Sequence, residues 1–114
     1  MANSIRQKTS TSQNITGATV NFDYFDVLNF NAVSCHVVTG GAGLTGTAKL
    51  QQSNDGSNWV DAPATQYPNA SKSIVSNGSV LLEIPQCSSG FVRLVVTVSG
   101  GTAATSYIMF AKEY

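Results

Sequence analysis

Apolar and polar residues alternate with a period of two along most of the chain. From Ala32 to Val38, Val33, Cys35 and Val37 fall on one face, and Ser34 and His36 on the other. From Phe91 to Val98, Val92, Leu94, Val96 and Val98 point one way, against Arg93, Val95 and Thr97. Val80, Leu82 and Ile84 share a face within Ser79 to Ile84, and Ala18 to Phe22 alternates over a shorter span. Ser106 to Lys112 closes the chain, with Ile108 and Phe110 opposing Tyr107, Met109 and Ala111. No stretch carries an apolar stripe at helical spacing.

Turn chemistry punctuates these runs. Leu50-Gln51-Gln52 leads into Ser53-Asn54-Asp55-Gly56-Ser57-Asn58, and Trp59-Val60-Asp61 leads out, with Pro63 limiting that strand. Asn and Asp tolerate a left-handed backbone and Gly adopts one without steric cost, so a tight hairpin is expected there with Gly56 at positive φ. Trp59, the single tryptophan, is expected to anchor the core beneath it. Asn77-Gly78 is a second hairpin signal, between Ser71–Ser76 and Ser79–Ile84. Asp23 to Phe30 reads as a corner, Gly40 to Gly46 and Ala64 to Ala70 as loops, and Gly100-Gly101 as the end of the strand before it. The pattern predicts an all-β fold: an antiparallel β-sandwich, jelly-roll-like, of about eight short strands, with an open barrel as the alternative. Its expected core is Val33, Cys35, Val37, Leu50, Trp59, Leu82, Ile84, Val92, Leu94, Val96 and Phe110. Residues 1–17 are polar apart from Ile5 and Ile15 and form an amino-terminal arm or a first edge strand; residues 18–114 form a single sandwich domain.

Composition narrows the function classes. Only 11% of the 114 residues are charged, and six basic residues balance six acidic ones. That leaves no basic stripe for nucleic acid or for an acidic membrane. No apolar run approaches the roughly 20 residues of a membrane-spanning helix. The start, Met-Ala-Asn-Ser-Ile-Arg-Gln-Lys, lacks the apolar core of a signal peptide, so a cytoplasmic or cytoplasm-assembled protein is expected. In that compartment Cys35 and Cys87 are expected as thiols, although an even pair permits a bridge. Near-zero net charge removes repulsion between copies, which fits either a protein packed against itself or a larger shell, or a secreted domain with a neutral polar surface.

Candidate chemistry is sparse. His36 is the one histidine, lies on a strand and has no carboxylate at a local spacing to orient it, so it reads as a solvated or interface residue. No Gly-x-Ser-x-Gly elbow is present, and two distant cysteines do not make a zinc site. Asp23 and Asp26 read as turn caps, and Asn54-Asp55-Gly56 lacks the rest of a calcium loop. No catalytic, cofactor-binding or metal-binding residue is therefore expected, and no cofactor. Tyr24, Phe25, Trp59, Tyr67 and Tyr107 are the residues from which a sugar-stacking platform could be built. Tyr67, in a Pro-flanked loop, is the glycan contact expected under that alternative.

The turn stretch Leu50 to Trp59, followed by Phe91-Val92-Arg93-Leu94, resembles small β-sandwich domains of bacteriophage particle proteins. It is also similar to discoidin-like and carbohydrate-binding sandwiches of bacterial surfaces, from which this chain departs in lacking a signal peptide and neighbouring domains. The resemblance covers roughly residues 30–112 and rests on turn and core positions. It implies a non-enzymatic structural protein of a phage virion, of the capsid decoration, minor capsid or tail-associated type, assembled in the host cytoplasm. The implied partners are copies of itself, with a trimer suggested by the three-fold positions of symmetric shells, and other virion proteins. Nucleic acid and membrane are not expected, and a glycan enters only under the alternative. The closing strand is apolar on both faces, and only one can meet the protein's own core. Tyr107 and Met109, with Ile5 of the arm, are thus the expected interface residues.

Overall fold

The computed structural model describes residues 5–28 and 30–113. Residues 1–4 of the expected arm, Asn29 of the corner and Tyr114 lie outside the described residues. The described residues form a single nine-stranded antiparallel sheet that curls over itself into a sandwich-like fold. Its strands are β1 (Ile5–Thr9), β2 (Gln13–Asn21), β3 (Phe25–Asp26), β4 (Ala32–Gly40), β5 (Thr45–Ser53), β6 (Val60–Asp61), β7 (Ser71–Ser73), β8 (Gly78–Ile84) and β9 (Phe91–Lys112). One short 3-10 turn, Pro68–Ala70, precedes β7.

β9 is the spine. On one side its first half pairs with β5 and its second half with β4; on the other it meets β3, β2 and β1 in turn. Twenty-two residues in a straight strand would span about 70 Å. The longest dimension of the molecule is 45 Å, so β9 must bend. It bends at Gly100-Gly101, where Gly101 takes φ +78° opposite Gly17 of β2 at φ +55°. The glycines thus do not end the strand, as the sequence pattern predicts, but kink it through a bulge. The two halves fold toward one another and enclose one core.

The bulge also reverses the phase of β9. Val92, Leu94, Val96 and Val98, at even positions, point inward before it; Ala103, Tyr107, Met109 and Ala111, at odd positions, point inward after it. A slip of one residue moves every following side chain to the other face. Phe110, predicted for the core, therefore lies on the outer face at 36% exposed, and Tyr107 and Met109, predicted for an outward interface, are buried. β2 reverses in the same place, with Ile15 buried on one side of Gly17 and Val20 packed against the core on the other.

The core takes Val33, Cys35 and Val37 of β4, Leu50 of β5, Leu82 and Ile84 of β8, and the inward residues of β9. Trp59, also predicted there, is only half-buried, because the loop that carries it lies on the outer face of β5 and β9. Asn77 takes φ +48° as a turn residue should. It does not close a hairpin, however, since β7 pairs with β5 and β8 with β4; Asn77-Gly78 carries the chain from one half of the sheet to the other. Cys35 and Cys87 are free and buried, and burial pushes the Cys35 thiol up to about 12. The buried hydroxyls are satisfied: Thr39 donates to Val75 O at 2.6 Å, Thr105 to Ala103 O at 3.1 Å and Ser53 to Asp55 Oδ1 at 2.9 Å.

Candidate interaction surfaces

With the core filled, chemistry is left to the two outer faces of the curled sheet. The first is formed by β5, β6, the first half of β9 and the end of β2. Its side chains are stitched to one another. Gln51 Nε2 donates to Asp61 Oδ1 at 2.8 Å, and Arg93 Nε donates to Gln51 Oε1 at 2.8 Å. Lys49 sits 3.1 Å from Asp61, and the Thr19 and Thr97 hydroxyls are 2.9 Å apart. Hydrogen bonds from Gln51 and Lys49 hold the Asp61 carboxyl below its usual range. The Arg93 guanidinium lies 4.5 Å from the centroid of the Trp59 ring, a cation–π stack. Tyr24 flanks Trp59 at 6.3 Å with planes tilted by 33°, and meets Phe91 edge-on at 5.1 Å.

The loop that delivers Trp59 is held by two side chains. Ser53 Oγ accepts from the Asp55 and Gly56 N–H groups, and Asp55 Oδ1 accepts from the Ser57 and Asn58 N–H groups at 2.8 Å each. Asn58 Nδ2 adds a bond to Asp55 Oδ2 at 2.7 Å. Together these hold the Asp55 carboxyl far below the usual carboxylate range. Gly56 takes φ +74°, as the turn chemistry predicts, within a loop longer than a two-residue hairpin. Asp55 is thereby committed to the loop backbone. Asp23 and Asp26 are similarly used, accepting from the Tyr24 and Leu28 N–H groups.

The second outer face belongs to β8, β4, the second half of β9 and β1. Strand pairing sets Leu81, His36 and Ile108 side by side in one row. The next row along holds Glu83, Ser34 and Phe110; the row on the other side holds Ser79, Val38 and Ser106. Leu81 is 44% exposed, Val38 42% and Ile108 39%. A shallow groove runs along this face past Ala32, Ser34, Leu81, Glu83, Phe110 and Lys112. The sequence pattern marks Ile108 and Phe110 as one face of the last strand but assigns that face to the core, for want of the bulge.

The individually predicted residues separate accordingly. Ile5 of β1 is exposed at the sheet margin opposite Lys112. Tyr107 packs edge-on against Phe22 at 5.3 Å, and burial, with the charges of Cys35 and Asp23, pushes its phenol up to about 12. Tyr67, predicted as an open glycan contact, is only 9% exposed and donates its hydroxyl to Gln86 O at 2.6 Å. Among the described residues Tyr24 and Phe110 are exposed rings, and Trp59 is half-buried. Among the described residues no group of three or more His, Cys, Asp or Glu is placed to hold a metal ion, and no helix is long and apolar enough to cross a membrane.

No protein-family model matches the sequence, and no curated protein sequence matches it. Solved structures share the fold. The exported protein XepA of PBSX superposes with a TM-score of 0.69 at 9% identity, over 95% of this chain. This chain spans only 37% of XepA's length. The SPBc2 prophage-derived protein YomS superposes at 0.62 with 10% identity, over 99% of this chain and 96% of its own. A subunit of the disulfide-linked pili of Bacillus endospore appendages superposes at 0.53 with 8% identity, covering 100% and 93%. At such identities the likeness is one of fold alone.

Proposed function

We propose that this chain is a non-enzymatic structural protein of a bacteriophage particle, a decoration or minor capsid subunit that acts by associating with itself and binding other virion proteins. The observation that carries the reading is the end-to-end match with prophage-derived YomS, in which neither chain has a large part left over. The physical ground agrees with it: the polar groups of the first outer face are bound to one another, and the second leaves Leu81, Val38, Ile108 and Phe110 exposed along a shallow groove. Copies and virion neighbours are then the partners, and the virion, assembled in the host cytoplasm, is the location. A trimer rests on analogy with three-fold shell positions. The test is purification of particles through a density gradient followed by mass spectrometry and immunogold labelling. The chain should band with intact particles in stoichiometric amount and decorate them; its absence from washed particles would refute the reading.

A second reading, attachment to surface glycans, draws on the Tyr24–Trp59 pair rather than on Tyr67. Two rings lying side by side at a shallow tilt form a stacking surface for a sugar. A glycan array probed with the isolated protein and with Trp59→Ala would support this reading if saturable binding vanished in the variant, and would dismiss it if none occurred.

A further inference from the structure

We infer that the outer face of β8, β4 and the second half of β9 binds the same face of a second copy, about a two-fold axis running along β4. The inference rests on the self-association proposed above and deepens it, with a two-fold dimer in place of the trimer drawn by analogy. Three observations meet here. The face is apolar along its middle row, Leu81 and Ile108 flanking His36, with Val38 and Phe110 on the adjoining rows. Groups of opposite charge stand on either side of β4: Glu83 on β8, the end strand of the sheet, and Lys112 on β9, between Ala32 of β4 and Ile5 of β1. Neither has an ion-pair partner among the described residues, whereas Lys8 pairs with Asp23 and Lys49 with Asp61. Two strand spacings, about 10 Å, separate β8 from β9, and Glu83 and Lys112 form no ion pair with each other within one chain.

A two-fold axis along β4 exchanges the two sides of the face while keeping each residue at its own height along the strand. β8 of one copy then lies over β9 of the other. Leu81 covers Ile108 of the second copy, and Glu83 comes down beside Phe110 and Lys112. Both charge pairs form at once, and both apolar rows are covered. Two sheets packed face to face about 10 Å apart, with strands within roughly 30° of alignment, are the ordinary geometry of a β-sandwich core. The symmetry is the isologous one of most homodimers.

Sedimentation velocity over a concentration series, up to tens of micromolar, tests this on the full chain. The wild type should shift from monomer to dimer. Leu81→Glu, at an exposed position, should remain monomeric with an unchanged circular dichroism spectrum. Glu83→Lys and Lys112→Glu should each weaken the dimer by about tenfold or more, since each sets like charges face to face. The double reversal should restore it, an outcome that folding defects do not produce. A wild type that stays monomeric, a Leu81→Glu variant that still dimerises, or a double reversal no better than its parents would each overturn the inference. A monomer that still bands with phage particles would overturn it while leaving the particle reading standing. A dimer that never bands with particles would support the interface and remove the particle reading.

Discussion

The two outer faces of this sheet are built from the same long strand, yet they solve the problem of exposure in opposite ways. Around the first half of β9, Arg93, Gln51, Asp61 and Lys49 bind one another and Trp59 lies over the guanidinium, so polar and aromatic groups are mutually satisfied. Around the second half, Leu81, Val38, Ile108 and Phe110 stand open, with Glu83 and Lys112 on either side of β4. What separates the halves is the bulge at Gly100-Gly101. It decides which parity of a doubly apolar segment meets water, and so turns one strand into a closed face and a sticky one. A local backbone event thus fixes a property of the whole surface.

Truncating neighbouring residues of the second half separates the two faces most sharply. Met109→Ala should cost about 2–5 kcal/mol in chemical denaturation, because the side chain is fully enclosed. Phe110→Ala should cost about 1 kcal/mol or less. Equal costs would mean that the phase does not reverse. Next comes the hinge. Gly101→Ala should destabilise by about 1–3 kcal/mol, read as a drop in thermal midpoint. Its φ is +78°, and an added Cβ would stand 2.9 Å from Leu44 Cδ2 and 3.1 Å from Gly43 O. A neutral result would place the bend elsewhere.

On the first face, Trp59→Ala should cost about 1–2 kcal/mol, through partial burial and the lost stack on Arg93. A loss near that of Met109→Ala would show a tryptophan buried in the core. The smallest effect concerns Asp55. Its folded carboxyl titrates well below its unfolded value, so its contribution is fully present above about pH 4 and is lost as the pH falls through the folded value. The gap in thermal midpoint between the wild type and Asp55→Asn should therefore be constant near neutrality and shrink in strong acid. A gap that widened in acid would contradict the hydrogen bonding of that carboxylate.

Much of this was legible from alternation alone. β4, β5, β8 and the first half of β9 carry most of their apolar residues at one parity, with Val38, Leu81 and Val95 among the exceptions, so their core faces follow from the sequence. From Tyr107 to Ala111 every residue is apolar, both parities fit a core, and only the backbone at Gly101 chooses between them. Trp59 misleads for a different reason. Its size argues for burial, but it follows an irregular loop in which parity is undefined, and it finds its partner in Arg93, thirty-four positions on. Tyr67 sits in a Pro-flanked loop that reads as open, yet the loop folds back so that its hydroxyl reaches Gln86 O. The apolar patch stayed hidden because it needs three strands in register, β8, β4 and β9, and registers between distant segments are not written in any one of them.

The comparison between the faces is tested most directly by amide and side-chain NMR shifts followed as the protein is concentrated. Concentration-dependent shifts are expected only in Ser79–Glu83, Ser34–Val38 and Ser106–Lys112, with the Trp59 indole, Arg93 and Gln51 unmoved. Shifts centred on Trp59 and Arg93, or none anywhere, would contradict it.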